Sequence, residues 1–203
     1  MSLRATGPTI TLRFAEAADA AGLFAHARDP EVTRFFSWGP YERVEEAAAY
    51  IARLPGERED GRHLDLVIDH REHGPIGVIG LGEWSLRDRR AVVGTWLGRA
   101  HWGTGANTEA KALLTRLAFE ALGLDRVGAY AAPGNPRSQR ALEKLGFVAE
   151  GTLRAYHRHG DRVHDVRVFS LLRGDYATSP LSSVPVTIEG EPPPAFSCAS
   201  PPS

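Results

Sequence analysis

The hydrophobic pattern along the chain switches between a period of two and a period near 3.6. Residues 9–14 alternate as a strand does, with Ile10, Leu12 and Phe14 on one face. Ala17 to Arg28 is alanine-rich and helical, and Asp29-Pro30 breaks it because proline has no N–H to continue the ladder. A second helix is predicted over Glu42–Leu54, ended by Pro55-Gly56. His63–Asp69 and Pro75–Trp84 read as antiparallel strands around the turn 71–74, and a turn at 87–90 leads into the strand Ala91–Leu97. Gly105–Leu122 sets Ala110, Leu113, Leu114, Leu117, Ala118 and Ala121 along one stripe, the face a sheet would cover. Arg126–Ala131 is the next strand and Pro136–Leu145 the next helix. Phe147–Thr152 and Val163–Leu172 close as a hairpin-like pair, with Gly160-Asp161 as a turn. An antiparallel meander followed by two strand–helix–strand units predicts an α/β chain, a mixed sheet with helices on both faces.

Length and composition change this picture in one place. A chain of 203 residues supports one domain with a substantial core. Residues 177–203 stand apart, with seven prolines, no lysine or arginine, and only Glu189 and Glu191 as charges. They are expected to form a disordered tail behind a folded domain over 1–176, because they bury too little apolar surface to offset their ordering entropy. A net charge of −1 without a long like-charge run gives nucleic acid nothing to grip. Neither a membrane-length apolar run nor an apolar signal core is present. The single cysteine, Cys198, cannot form an internal disulfide, which agrees with a reducing cytoplasm.

Candidate chemistry concentrates where the strand Ala91–Leu97 meets the long helix. The turn Trp102-Gly103-Thr104-Gly105-Ala106-Asn107 leaves unpaired N–H groups at a helix start, with the positive end of the helix dipole behind them. Small residues there admit a phosphate close to the backbone, so the turn reads as a seat for a pyrophosphate-bearing cofactor. Gly94 interrupts a strand-favouring run, as at a bulge or a close backbone approach. Asn135-Pro136 suits a helix N-cap and first helical position. Asn107 is expected to cap its own helix with its side chain.

The strand Val92–Leu97, the loop Trp102–Ala106, the Asn135…Leu145-Gly146-Phe147 helix and the run Glu150–Arg154 resemble, in order, the GCN5-related N-acetyltransferase (GNAT) superfamily. Within it they resemble the branch that acetylates N-terminal amines of ribosomal proteins (RimJ/RimL-type). The resemblance implies a mostly antiparallel, twisted sheet of about seven strands, splayed in the middle near Gly94. It implies acetyl-CoA as co-substrate and no metal. Backbone groups of Trp96 and Leu97 would pair with the pantetheine arm, and amides of Trp102, Gly103, Thr104, Gly105, Ala106 and Asn107 would meet the pyrophosphate. Asn135 would hydrogen-bond the pantetheine, and Ser138 would protonate the departing thiolate. The reaction would be direct acetyl transfer to an amine, most simply a protein N-terminal α-amine. A small-molecule amine is the alternative acceptor, and a non-catalytic acyl-CoA-binding module the alternative class. A homodimer stays open.

The chain departs from the family where proton transfer is concerned. Tyr130 stands where some relatives have a glutamate base, Leu142 where they have a tyrosine acid, and Val92 and Thr95 replace a further glutamate and tyrosine. Glu83, near the end of a central strand, is the best remaining base, against the plainer reading of a solvated strand-edge residue. Of the aromatic run Arg34–Tyr41, Trp38 and Tyr41 are expected to wall the acceptor site and Phe35 and Phe36 to plug the core. His157, His159 and His164 lack the ligand spacing of a zinc site and are expected to face solvent or the acceptor cleft.

Overall fold

The computed structural model describes residues 3–198. Its strands are β1 (Arg4–Thr6), β2 (Ile10–Arg13), β3 (Leu64–His70), β4 (Gly74–Ser85), β5 (Arg90–Leu97), β6 (Arg126–Ala131), β7 (Val148–His159), β8 (Arg162–Leu172) and β9 (Thr187–Glu189). They form one sheet in the order β7-β8-β6-β5-β4-β3-β2-β1-β9. Every neighbouring pair is antiparallel except β5 and β6, which run parallel around the intervening helix. The sheet therefore has nine strands rather than about seven, the additional short ones being β1 and β9 at one edge.

The helices are α1 (Ala20–Ala27), α2 (Pro30–Thr33), α3 (Val44–Glu59), α4 (Ala106–Arg116), α5 (Pro136–Lys144) and α6 (Arg173–Tyr176). α1 and α3 cover one face of the sheet, where Ala20, Leu23, Ala47 and Ile51 pack on Val67 and Val78. The opposite residues of the same strands, such as Leu66, Ile68, Ile79, Leu81 and Val93, join the larger core with Ala110, Leu113, Leu114 and Leu117 around α4. Strand alternation thus feeds both layers. Pro30 and Pro136 each start a helix, and each is preceded by a side chain that accepts from the first turn: Asp29 from Glu31 N and Asn135 from Ser138 N.

Several boundaries differ from the sequence pattern: Asp29-Pro30, read as a break, starts α2, and β7 runs to His159 rather than to Thr152. α3 runs through Pro55 to Glu59 instead of stopping at Leu54. The extra turn is held by tertiary contact, with the Arg58 guanidinium 4.0 Å above the Phe14 ring. The segment expected as a disordered tail is folded as far as it is described. Leu181 and Phe196 are fully buried, β9 pairs with β1, and Phe196 packs 4.7 Å from the Trp84 ring. Two apolar anchors supply what the composition average hides; residues 199–203 lie outside the described residues.

Phe196→Ala should therefore cost about 3–5 kcal/mol of stability, as other fully buried Phe→Ala changes do. Urea unfolding measures this, and a loss below about 0.5 kcal/mol would mark the segment as unattached.

Candidate active site

β5 and β6 pair only from Arg90↔Arg126 to Val93↔Ala129. β5 then continues to Leu97 against β4, and β6 continues to Ala131 against β8, with no pairing between them. The sheet opens at Gly94, whose missing side chain would meet no atom within 4 Å. From Gly94 onward one edge of β5 has no strand partner. Such polar backbone groups demand water or a ligand. Leu97 is partly used already, because its carbonyl accepts from Trp102 Nε1 at 2.9 Å.

The mouth of this seam is built from two helix starts. Gly103 (φ 77°) and Gly105 (φ 97°) take left-handed conformations that side chains disfavour, and neither site is crowded. Gly105 is the N-cap of α4 and offers no side-chain cap, while the Ala106 N–H donates to Thr104 Oγ1 at 3.4 Å. Asn107 lies inside the first turn and does not cap, contrary to the sequence expectation, because glycine's conformational freedom lets the helix begin earlier. Thr104 Oγ1 donates to His101 O at 2.9 Å and holds the turn. Arg137 of α5 stacks 3.4 Å above the Trp102 ring, tying the two helix starts together. Asn135 spends its Oδ1 on the cap of α5, 3.1 Å from Ser138 N, and leaves its Nδ2 as a donor. Arg99 is engaged with Asp29 at 2.9 Å.

A cleft of about 1620 Å³ runs from these helix starts across the sheet and is lined by Trp38, Tyr41, Glu83, Trp96, Trp102, Gly103, Gly105, Asn107, Asn135 and Ser138, among others. Nearly all the residues singled out from sequence therefore share one cavity. Trp38 forms an aromatic wall with Tyr41 at 5.3 Å and Trp96 at 5.6 Å between ring centroids. Phe35 and Phe36 are half-buried and line the same cleft rather than plugging the core. Their loop lies over the cavity mouth, so burial comes from the wall and not from the interior. His157, His159 and His164 also line the cleft. Among the described residues no group of three His, Cys, Asp or Glu side chains is placed to hold a metal ion.

Glu83 sits at an irregularity of β4 with φ 50°, an uncommon conformation for a non-glycine residue. Its Oε2 accepts from Tyr130 Oη at 2.9 Å and from Tyr156 Oη at 3.3 Å. Tyr156 follows Ala155, which is also left-handed (φ 52°) and lies in a register break of β7. Two local distortions thus turn a carboxylate and a phenol toward Tyr130, as bulges re-aim side chains. Burial, then the bonds to Tyr156 and Glu83, hold the Tyr130 hydroxyl well above the ordinary tyrosine range, so it acts as a donor.

Several cleft residues escaped the sequence reading, Lys111, Tyr50 and Asp65 among them. Lys111 of α4 is buried, donates to Thr95 Oγ1 at 2.8 Å, and has its pKa lowered by burial to about 8. The signal was a lysine on a helix whose residues from Ala110 to Thr115 are all buried, a pattern visible only once both sides of α4 are covered.

The match with known proteins places this geometry in a family. The acetyltransferase (GNAT) domain model matches residues 9–148, and the chain belongs to that family. It is 34% identical over 170 residues to an uncharacterized N-acetyltransferase, p20, of Bacillus licheniformis, covering 83% of this chain and 95% of that one. It is 35% identical over 100 residues to a protein of Bacillus subtilis, YdaF, named for ribosomal N-acetyltransferase activity, covering 49% of this chain and 55% of that one. A solved structure assigned as an acetyltransferase from T. thermophilus superposes with a TM-score of 0.76 at 34% identity, covering 86% of this chain and 92% of that one. The protein is an acetyl-CoA-dependent N-acetyltransferase.

Lys111 makes stability depend on pH. An unfolded lysine titrates near 10.5 and this one near 8, so between those values the unfolded chain holds the extra proton and stability falls as pH drops. The full penalty, about 3 kcal/mol, is in place below pH 8. Lys111→Met should be more stable than the native protein by about 2 kcal/mol at pH 7, after allowing for the lost bond to Thr95. The gap should close above about pH 11 in urea titrations, since the lysine is then neutral in both states.

Proposed function

We propose that the amine acceptor is the N-terminal α-amine of a protein and that transfer occurs at the open seam beside Gly94. The observation that carries this reading is the convergence on one cleft of an unpaired strand edge, two helix starts and a carboxylate held by two phenols. The aromatic wall of Trp38, Tyr41 and Trp96 suits the flat faces of a peptide backbone, and the similarity to YdaF, named as a ribosomal N-acetyltransferase, supports a protein acceptor.

Acetyl-CoA supplies an activated acyl group as its thioester. Its pyrophosphate belongs at the amides from Gly103 to Asn107, where the dipole of α4 favours negative charge. The free edge of β5 from Gly94 to Trp96 pairs with the amide-bearing arm as an added strand would. Asn135 Nδ2 is a further donor beside it. An acceptor α-ammonium, with an ordinary pKa near 8, gives a proton to Glu83 directly or through one water. Tyr130 and Tyr156 hold Oε2 of that carboxylate, leaving Oε1 to receive the proton. The neutral nitrogen attacks the thioester carbon, the C–N bond forms, and the C–S bond breaks without a covalent enzyme intermediate. As the amide forms, the nitrogen loses a second proton, and Ser138, in the first turn of α5 and in the cleft, relays it to the departing sulfur. A single, partly buried cysteine, Cys198, suits a reducing compartment, which supports a cytoplasmic enzyme. Among the described residues no helix is long and apolar enough to cross a membrane.

Mass spectrometry of short peptides incubated with the protein and acetyl-CoA should show one added acetyl group on the α-amine. Acetylation of free small amines with every peptide untouched would replace this acceptor. Glu83→Gln should lower kcat by roughly 10²-fold without changing CoA affinity by calorimetry; a native pH–rate profile in that variant would remove Glu83 as base. Gly105→Val should weaken CoA binding more than about tenfold, because a β-branched residue resists φ 97° and the amide cradle reshapes. Native affinity would move the phosphate seat elsewhere.

A further inference from the structure

A second carboxylate lies in the cleft on a different strand from Glu83. Asp65 of β3 pairs with Gly80 of β4, which pairs with Gly94 of β5. Directly paired residues present their side chains to the same face, so Asp65, Gly80 and Gly94 form one row across three strands. The row contains two residues without side chains. The space over Gly80 is filled instead by the Asp65 carboxylate, since a Cβ at Gly80 would lie 1.9 Å from Asp65 Oδ1. The space over Gly94 is open. Asp65, Gly80 and Gly94 all line the main cleft. The result is a trough that starts at a carboxylate and ends at the seam.

Asp65 is held in place but not neutralised. Tyr50 Oη of α3 donates to its Oδ2 at 2.8 Å, and Oδ1 accepts no hydrogen bond among the described residues. No lysine, arginine or histidine nitrogen lies within ion-pair distance of it among the described residues; Arg53 and His63 act on it only through space, and Glu57 opposes them. Burial holds its pKa above the usual aspartate range, with the Tyr50 bond offsetting part of the effect. A desolvated carboxylate with one unused oxygen facing a cavity is destabilising until a cation meets it.

We propose that Asp65 is the anchoring site for a second positively charged nitrogen on the acceptor, distinct from the nitrogen that is acetylated. Adjacent strands are about 4.8 Å apart, so a nitrogen on Asp65 and another at the seam are separated by roughly 5–8 Å. Asp65 therefore does not reach the reacting amine. This subsite rests on the cleft being the acceptor site, as proposed above, and it narrows the acceptor class. A short diamine spans the distance, and so does a protein N-terminus followed closely by a lysine side chain.

The test compares matched amines with the full chain and with Asp65→Asn, which keeps an oxygen for the Tyr50 bond. Calorimetry with diaminobutane and butylamine reads the subsite without turnover. Acetyl transfer to a lysine-first peptide and its norleucine-first counterpart reads it in a protein-like acceptor. The native protein should prefer the doubly charged member of each pair by about tenfold, the usual worth of a charge-assisted contact. Asp65→Asn should remove most of that preference, through KM rather than kcat. A preference confined to the diamine would assign the subsite to small amines, and one confined to the peptide would assign it to protein N-termini. Equal affinity for charged and uncharged members, or a preference that survives Asp65→Asn, would overturn the proposal. If kcat falls equally on both members and the basic limb of the pH profile shifts, Asp65 acts on the reacting proton and the anchoring role is wrong. Failure to acetylate any peptide while the diamine preference persists would count against the N-terminal acceptor and leave the subsite standing.

Discussion

A continuous sheet that stops pairing halfway along two parallel strands is the constraint on which this molecule turns. Past Val93 and Ala129 the backbone groups of β5 lose their partner strand, and an unpaired strand edge in a cleft needs water or a ligand to satisfy it. The rest of the structure holds that seam open and makes it useful. α4 and α5 both begin at its mouth, tied by Arg137 on Trp102. Trp38 and Trp96 wall one side, and the Glu83–Tyr130–Tyr156 cluster bridges β4, β6 and β7 across the splay. Gly94 marks the point of divergence, where a side chain would otherwise fill the opening.

Around this seam the protein tolerates groups that weaken it. Lys111 carries a buried amine with one neutral partner, and Asp65 carries a desolvated carboxylate with one donor. Glu83 and Ala155 adopt left-handed backbone conformations, each a cost of about 1–3 kcal/mol for a non-glycine residue. These features sit along one cleft or beside it, whereas the two cores on either face of the sheet are apolar and regular. Strain and uncompensated charge gathered at a cavity fit a protein that trades stability for chemistry there.

The outer edge of the sheet shows the opposite economy. The segment after α6 returns as β9 beside β1 and buries Leu181 and Phe196. Leu181 joins the core around α4, and residues 180–183 pack on that helix; this helps bury all of residues 110–115 although the sequence shows one apolar stripe. Glu109 of the same helix accepts from Thr9 N at 2.7 Å and Ile10 N at 2.8 Å, fixing the β1–β2 turn to the start of the site. The helix that presents the phosphate-type turn is thereby clamped from both ends of the chain.

The sequence by itself determined what short-range physics controls. Alternation and turn signals placed β2 to β6, the 3.6-residue stripe placed α4, and the Asn135-Pro136 pair placed the start of α5, whereas Asp29-Pro30 read as a break and not as the start of α2. The glycine turn at 103–105 was legible because only a few residue types take its conformation. Tertiary structure decided what depends on residues distant in the chain. Tyr130 meets Glu83 across 47 positions and Tyr156 meets it across 73, so a missing family glutamate could be read but its replacement cluster could not. Asp65 gains its meaning from two glycines on neighbouring strands, and Lys111 from Thr95 of β5 across the cleft. The 177–198 segment looked unstructured because composition averages over it, while two fully buried apolar side chains and one strand pairing of three residue pairs fix it. Periodicity reports which face of an element is apolar; only sheet register and packing report what that face will touch.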